Sequence, residues 1–128
     1  MTADGDRLAR AGWIGQAALD RKAERLIALD VRELTSYADT FILATGTSDR
    51  HVRSIADAIV EAASARGEKP LGTEGYDEAR WVLIDLADVI VHVFRAEVRE
   101  EYDLERLWND AAAIQLEGAS AATEGALG

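Results

Sequence analysis

Apolar residues in this chain recur at helical spacing in three stretches and crowd into short continuous or alternating runs in four others, and that division predicts the elements. Leu8, Ala11, Gly15, Ala18 and Leu19 mark a first helix within Arg7 to Arg25. LIALDV (26–31) and TFILAT (40–45) are too short for buried helices and rich in branched residues, so both are expected to be buried strands. Val52, Ile55, Ala56, Ile59, Val60 and Ala63 fall at i, i+3, i+4, i+7, i+8 and i+11 behind Ser48, a residue that caps helix N-termini. That helix should stop at Gly67, and Pro70 prevents it from resuming. A short extended piece near Lys69 to Gly72 then leads into the polar loop TEGYDEAR.

Trp81 to Asp85 and Asp88 to Phe94 read as the two strands of a hairpin turning at Leu86 and Ala87. Drawn so, Val82 faces Val91 and Ile84 faces Val89 on one side, while Trp81 pairs with His92 and Leu83 with Ile90 on the other. The first face suits a core against the helices; the second is apolar but ends in an indole and an imidazole. A last helical pattern, Val98, Tyr102, Leu104, Leu107 and Trp108, spans Glu97 to Ala113. Residues 115–128 are small, polar and glycine-bearing, with too little apolar area to offset ordering, and are expected to be disordered.

The resulting order, α-β-β-α-β-β-β-α, predicts an α/β fold with a mixed β-sheet of about five strands and flanking helices. At 128 residues and 48% hydrophobic, one domain over residues 1–114 is the natural division. No apolar run reaches membrane-spanning length and the first residues lack a secretory signal's apolar stretch, so a cytoplasmic location is expected. Cysteine is absent, which removes thiolate metal sites, disulfides and cysteine nucleophiles. With 24 acidic against 14 basic side chains the net charge is −10, so direct nucleic-acid contact is not expected to be the main mode of binding. An acidic surface is instead steered toward a basic protein.

Candidate chemistry is sparse. The Gly46-Thr47-Ser48 element leaves a strand and opens a helix, as phosphate-binding turns do, but Ser48 is more simply an N-cap. A metal-dependent nucleotidyl transfer would also need converging carboxylates; Asp85 and Asp88 straddle a turn and need not meet on one ion. His51 and His92 lie far apart without partners at ligand spacing, so no metal site or cofactor is expected. His51 reads as a surface residue; His92 is either a satisfied half-buried imidazole or part of a binding surface. No nucleophile elbow, P-loop or dinucleotide fingerprint occurs, and no catalytic residue is assigned. Trp81 is the leading interface candidate, because a large rigid indole desolvates well and is enriched at binding hot spots.

From Leu26 to about Asp110 the chain resembles the ribosomal silencing factors, also called the Iojap family. The resemblance is carried by ALDV (28–31), ADTFILATGTSDRHVRSIAD (38–57), EG (74–75), WVLIDLADVIVHVF (81–94) and VREEYDLERLW (98–108), in that order. It implies a nucleotidyltransferase-like fold without catalysis, and a protein that is not an enzyme. It also implies a partner, the large ribosomal subunit, reached through ribosomal protein L14. Binding there would sterically block association with the small subunit and repress translation. Carried over by position, the contact residues are Trp81 and Leu86, with Leu83, Asp85, Asp88 and His92 as support. Leu86 is expected to stand exposed at the turn tip. Ala87 departs from the family, which commonly has glycine there. The alternatives are a factor in large-subunit assembly or a nucleotidyltransferase using Ser48 and Asp85; monomer and homodimer both remain open.

Overall fold

The computed structural model describes residues 3–102 and 112–114. Its elements run α1 (Ala3–Asp20), β1 (Glu24–Asp30), β2 (Thr40–Gly46), α2 (Asp49–Ala65), β3 (Gly72–Glu74), β4 (Trp81–Asp85), β5 (Val89–Arg95), α3 (Ala96–Tyr102) and β6 (Ala112–Ile114). The strands form one sheet in the order β3-β4-β5-β2-β1-β6, mixed because β2 and β5 are parallel while every other neighbouring pair is antiparallel. The expected mixed sheet with flanking helices is therefore present, with six strands. The additional strand, β6, pairs Ala112 to Ile114 with β1 where the helical pattern had been extended to Ala113. Residues 103–111, which complete that expected helix and include Trp108, and the tail 115–128 lie outside the described residues.

Central position explains the composition of β2. All seven of its residues are buried, which suits a strand covered on both sheet faces. Helices α1 and α2 cover one face. Ala11, Ile14 and Ala18 of α1 and Val52, Ile55 and Ile59 of α2 pack with Ile42, Ala44, Val82, Ile84, Leu86, Val91 and Val93 into one cluster. The opposite face holds a second cluster of Leu29, Val31, Ala38, Phe41, Leu43, Ile90, Phe94 and Val98, the last supplied by α3.

Helix α2 begins as expected: Ser48 is extended, and its Oγ accepts from the His51 backbone N–H at 3.1 Å. It ends at Ala65, two residues before Gly67, whose φ of +74° lets the Glu68 N–H turn back to the Ala63 carbonyl at 2.9 Å. Gly46 has a different purpose. A Cβ there would lie 2.8 Å from the Val52 side chain, so glycine is what lets β2 run directly under the first turn of α2.

The hairpin differs from expectation in register. Trp81 pairs with Phe94, Val82 with Val93, Leu83 with His92, Ile84 with Val91 and Asp85 with Ile90. The turn is centred on Ala87 and Asp88, one residue later than Leu86 and Ala87, because the Leu86 N–H still bonds the Val89 carbonyl at 2.9 Å. Moving the centre by one residue shifts the pairing by two, and a shift of two leaves every side chain on its expected face. It also removes Leu86 from the turn tip. Leu86 continues the alternation of Val82 and Ile84 toward the helices and is only 3% exposed, which corrects the expectation of an exposed apolar tip.

Candidate partner-binding site

Two features deliver Trp81 to its place, a glycine turn and a tie from the loop to α2. The loop after β3 turns at Gly75, whose φ is +80° and where a Cβ would sit 2.2 Å from the Trp81 carbonyl oxygen. Only glycine allows that crossing. Arg53 of α2 then donates to the carbonyls of Tyr76 and Asp77, and the Tyr76 hydroxyl donates to Asp57 at 3.2 Å, tying the loop to the helix. The chain enters β4 from a fixed point.

Alternation along β4 and β5 sends Trp81, Leu83, Ile90, His92 and Phe94 to the face away from α1 and α2. There they form an aromatic group. The Trp81 indole Nε1–H donates to His92 Nδ1 at 3.1 Å. Phe41 meets the imidazole edge-on at a centroid distance of 5.0 Å, and Phe94 stacks with it at 6.2 Å. His92 is 6% exposed, so burial holds its pKa down at about 4 and the ring is neutral near neutral pH. Its Nε2 is buried and has no hydrogen-bond partner.

Trp81 and Leu83 remain half-buried at the rim of this cluster, toward the β3 edge of the sheet. Glu74 stands opposite Leu83 in register and is exposed; Asp85 follows two residues along on the same face. The surface there is an apolar pair flanked by carboxylates, with Tyr37, 63% exposed, further along beside Phe41 at 6.1 Å.

Of the six residues singled out from the sequence, Trp81, Leu83, Asp85 and His92 share this face. Leu86 and Asp88 do not belong to it. Leu86 is enclosed on the helix side, and the Asp88 carboxylate pairs with Arg10 of α1 at 3.3 Å. Asp85 Oδ1 accepts from the Ala87 N–H at 2.9 Å, stabilising a turn in which Ala87 adopts a φ of +74°. Alanine thus occupies the left-handed conformation that glycine would adopt without strain. Two contributors escaped the sequence reading. Glu74 was seen as a loop acid, and Arg10, assigned no role, bonds both Glu68 oxygens at 2.6 Å and the Leu86 carbonyl at 2.9 Å. Arginine alternating with apolar residues on an amphipathic helix is too common to have flagged it.

The glycine-serine element takes a structural part. His51, more than the surface residue expected, accepts from the Thr47 N–H at 2.8 Å through Nδ1 and reaches the Arg21 carbonyl at 2.7 Å through Nε2, joining the start of α2 to the α1–β1 connection. Among the described residues, no group of three or more His, Asp or Glu side chains is placed to hold a metal ion, and no helix is long and apolar enough to cross a membrane.

Residues 6–126 match the family model for the ribosomal silencing factor during starvation. A ribosomal silencing factor of Halalkalibacterium halodurans is 44% identical over 99 residues, covering 77% of this chain and 85% of its own. That of Bacillus subtilis is 45% identical over 98 residues, covering 77% and 83%. A crystal structure of a protein from Chromobacterium violaceum superposes with a TM-score of 0.77 at 37% identity, covering 79% of this chain and 84% of that one. Sequence and fold agree, and the chain belongs to the ribosomal silencing factor family.

Proposed function

We propose that this chain binds the large ribosomal subunit through ribosomal protein L14 and, by occupying the surface on which the small subunit docks, blocks subunit association and represses translation. The observation that carries the reading is the half-buried pair Trp81 and Leu83, flanked by Glu74 and Asp85. An apolar centre with an acidic rim complements a basic protein surface: the indole supplies area to desolvate and the carboxylates supply steering. The net charge of −10 acts in the same direction and opposes direct association with ribosomal RNA. Leu86 takes no direct part, its side chain being enclosed in the helix-side core. The action is steric and needs no catalysis; Asp85 and Asp88, the acids a nucleotidyltransferase would require, are engaged by the turn and by Arg10.

Sedimentation of mixed subunits with and without the protein tests this. The protein should travel with large subunits and reduce the associated-particle peak. Undiminished association at saturating protein would refute the proposal.

A further inference from the structure

His92 is an unexpected residue for its place. It sits among Phe41, Phe94, Trp81 and Leu43 on a sheet face where an apolar side chain would leave no polar atom buried. Instead its Nε2 lies buried without a hydrogen-bond partner. Since Nδ1 accepts the indole N–H, Nδ1 carries no proton, and the neutral ring must hold its proton on Nε2. A buried, unpaired N–H is unfavourable, so the imidazole reduces the stability of the free chain at one nitrogen. What the other nitrogen accomplishes is to fix Trp81. The indole is on the neighbouring strand, its ring centroid 5.9 Å from the imidazole, and the hydrogen bond restricts its rotation about the side-chain torsions.

We propose that His92 is a positioning residue for partner docking: its Nδ1 locks the Trp81 indole in one orientation and consumes its N–H, so that the indole meets the partner as a pre-ordered, wholly apolar surface. This rests on Trp81 being the contact put forward above. It adds that the partner need supply no acceptor for the indole, since the indole N–H is already paired with His92 when docking covers it. Pre-ordering removes entropy that would otherwise be lost on binding.

Two substitutions separate positioning from filling space. Asparagine can place its Oδ1 near the position of the imidazole Nδ1 and accept from the indole; phenylalanine fills the volume and cannot. In the wild-type chain, nitrogen NMR should show His92 protonated on Nε2 alone, and the Trp81 indole N–H, assigned by its loss in Trp81→Phe, should exchange slowly with solvent. His92→Asn should keep the slow exchange and bind isolated large subunits nearly as wild type. His92→Phe should remain folded, lose the indole protection and bind about tenfold more weakly, the effect of one lost buried hydrogen bond. Protonation on Nδ1, or an indole that exchanges just as slowly in His92→Phe, overturns the proposal, as does wild-type affinity in that variant. Failure of the wild-type chain to bind large subunits would instead overturn the reading beneath it, and the tautomer and exchange measurements would still decide whether His92 orders the indole.

Discussion

The two faces of the sheet are built from the same strands yet differ in kind. The helix-side face is mainly aliphatic: Ile42, Ala44, Val82, Ile84, Val91 and Val93, each at most 1% exposed, meet the alanines, valines and isoleucines of α1 and α2, and Thr40, opposite Val89, is a buried polar residue beside them. The far face carries aromatic rings and buried polar groups. His92, Thr45 and Arg99 all lie in or beside it, Arg99 donating to Thr45 Oγ1 at 2.8 Å and to the Arg25 carbonyl at 2.6 Å. Buried polar groups offset their desolvation only where hydrogen bonds are complete, and one nitrogen of His92 is left out. Under the proposed function the faces do different work: the first mainly holds the fold together, and the second gives up some stability at His92 to set out a surface.

If so, truncation on the helix side should act on stability first. Ile84→Ala, removing a fully buried side chain, should lower the unfolding free energy by about 3 kcal/mol in urea titrations. The far face should show itself through pH. His92 has a pKa near 4 when folded and about 6.5 when unfolded, so between those values the unfolded chain takes up a proton that the folded chain refuses. Stability should therefore be unaffected by this residue above pH 6.5, fall as pH drops toward 4, and lose nothing more to it below, by up to about 3 kcal/mol in all. The stability difference between wild type and His92→Phe across that range isolates the effect from the many carboxylates. Arg10→Ala should cost about 1 to 2 kcal/mol, since it removes charge-assisted bonds that join α1 to the hairpin turn, and should speed amide exchange at Leu86. The smallest effect should be a gain: Ala87→Gly relieves a left-handed alanine and should raise stability by about 1 kcal/mol, visible as a higher melting temperature.

Elements with strong periodicity were legible from the residues. The cap at Ser48, the run to Ala63 and the stop at Gly67 delimit α2 with no knowledge of its neighbours. The hairpin strands were legible too, and so were their faces, because a two-residue error in pairing does not change which way a side chain points. The turn centre was not. Its first residue, Ala87, takes a conformation that alanine disfavours, and the Asp85 carboxylate stabilises it there. Misplacing the centre by one residue is what made Leu86 read as an exposed tip. Strand β6 was hidden because Ala112 and Ala113 favour helices and become a strand only by pairing with β1. Links that join distant segments, such as Arg10 to Glu68 and Leu86, leave no local mark at all. Within the proposed site, residue type and position pointed to Trp81, while the place of Glu74 opposite Leu83 needed the β3–β4 register.

The central claim is that the chain meets the large subunit with the face bearing Trp81, and paired affinities for isolated large subunits address it directly. Leu8 on α1, 47% exposed on the opposite side of the sheet, serves as the control. Trp81→Ala should bind weaker by about 2 kcal/mol or more, the range of an interface hot spot, while Leu8→Ala binds as wild type. Equal affinities for wild type and Trp81→Ala would contradict the account.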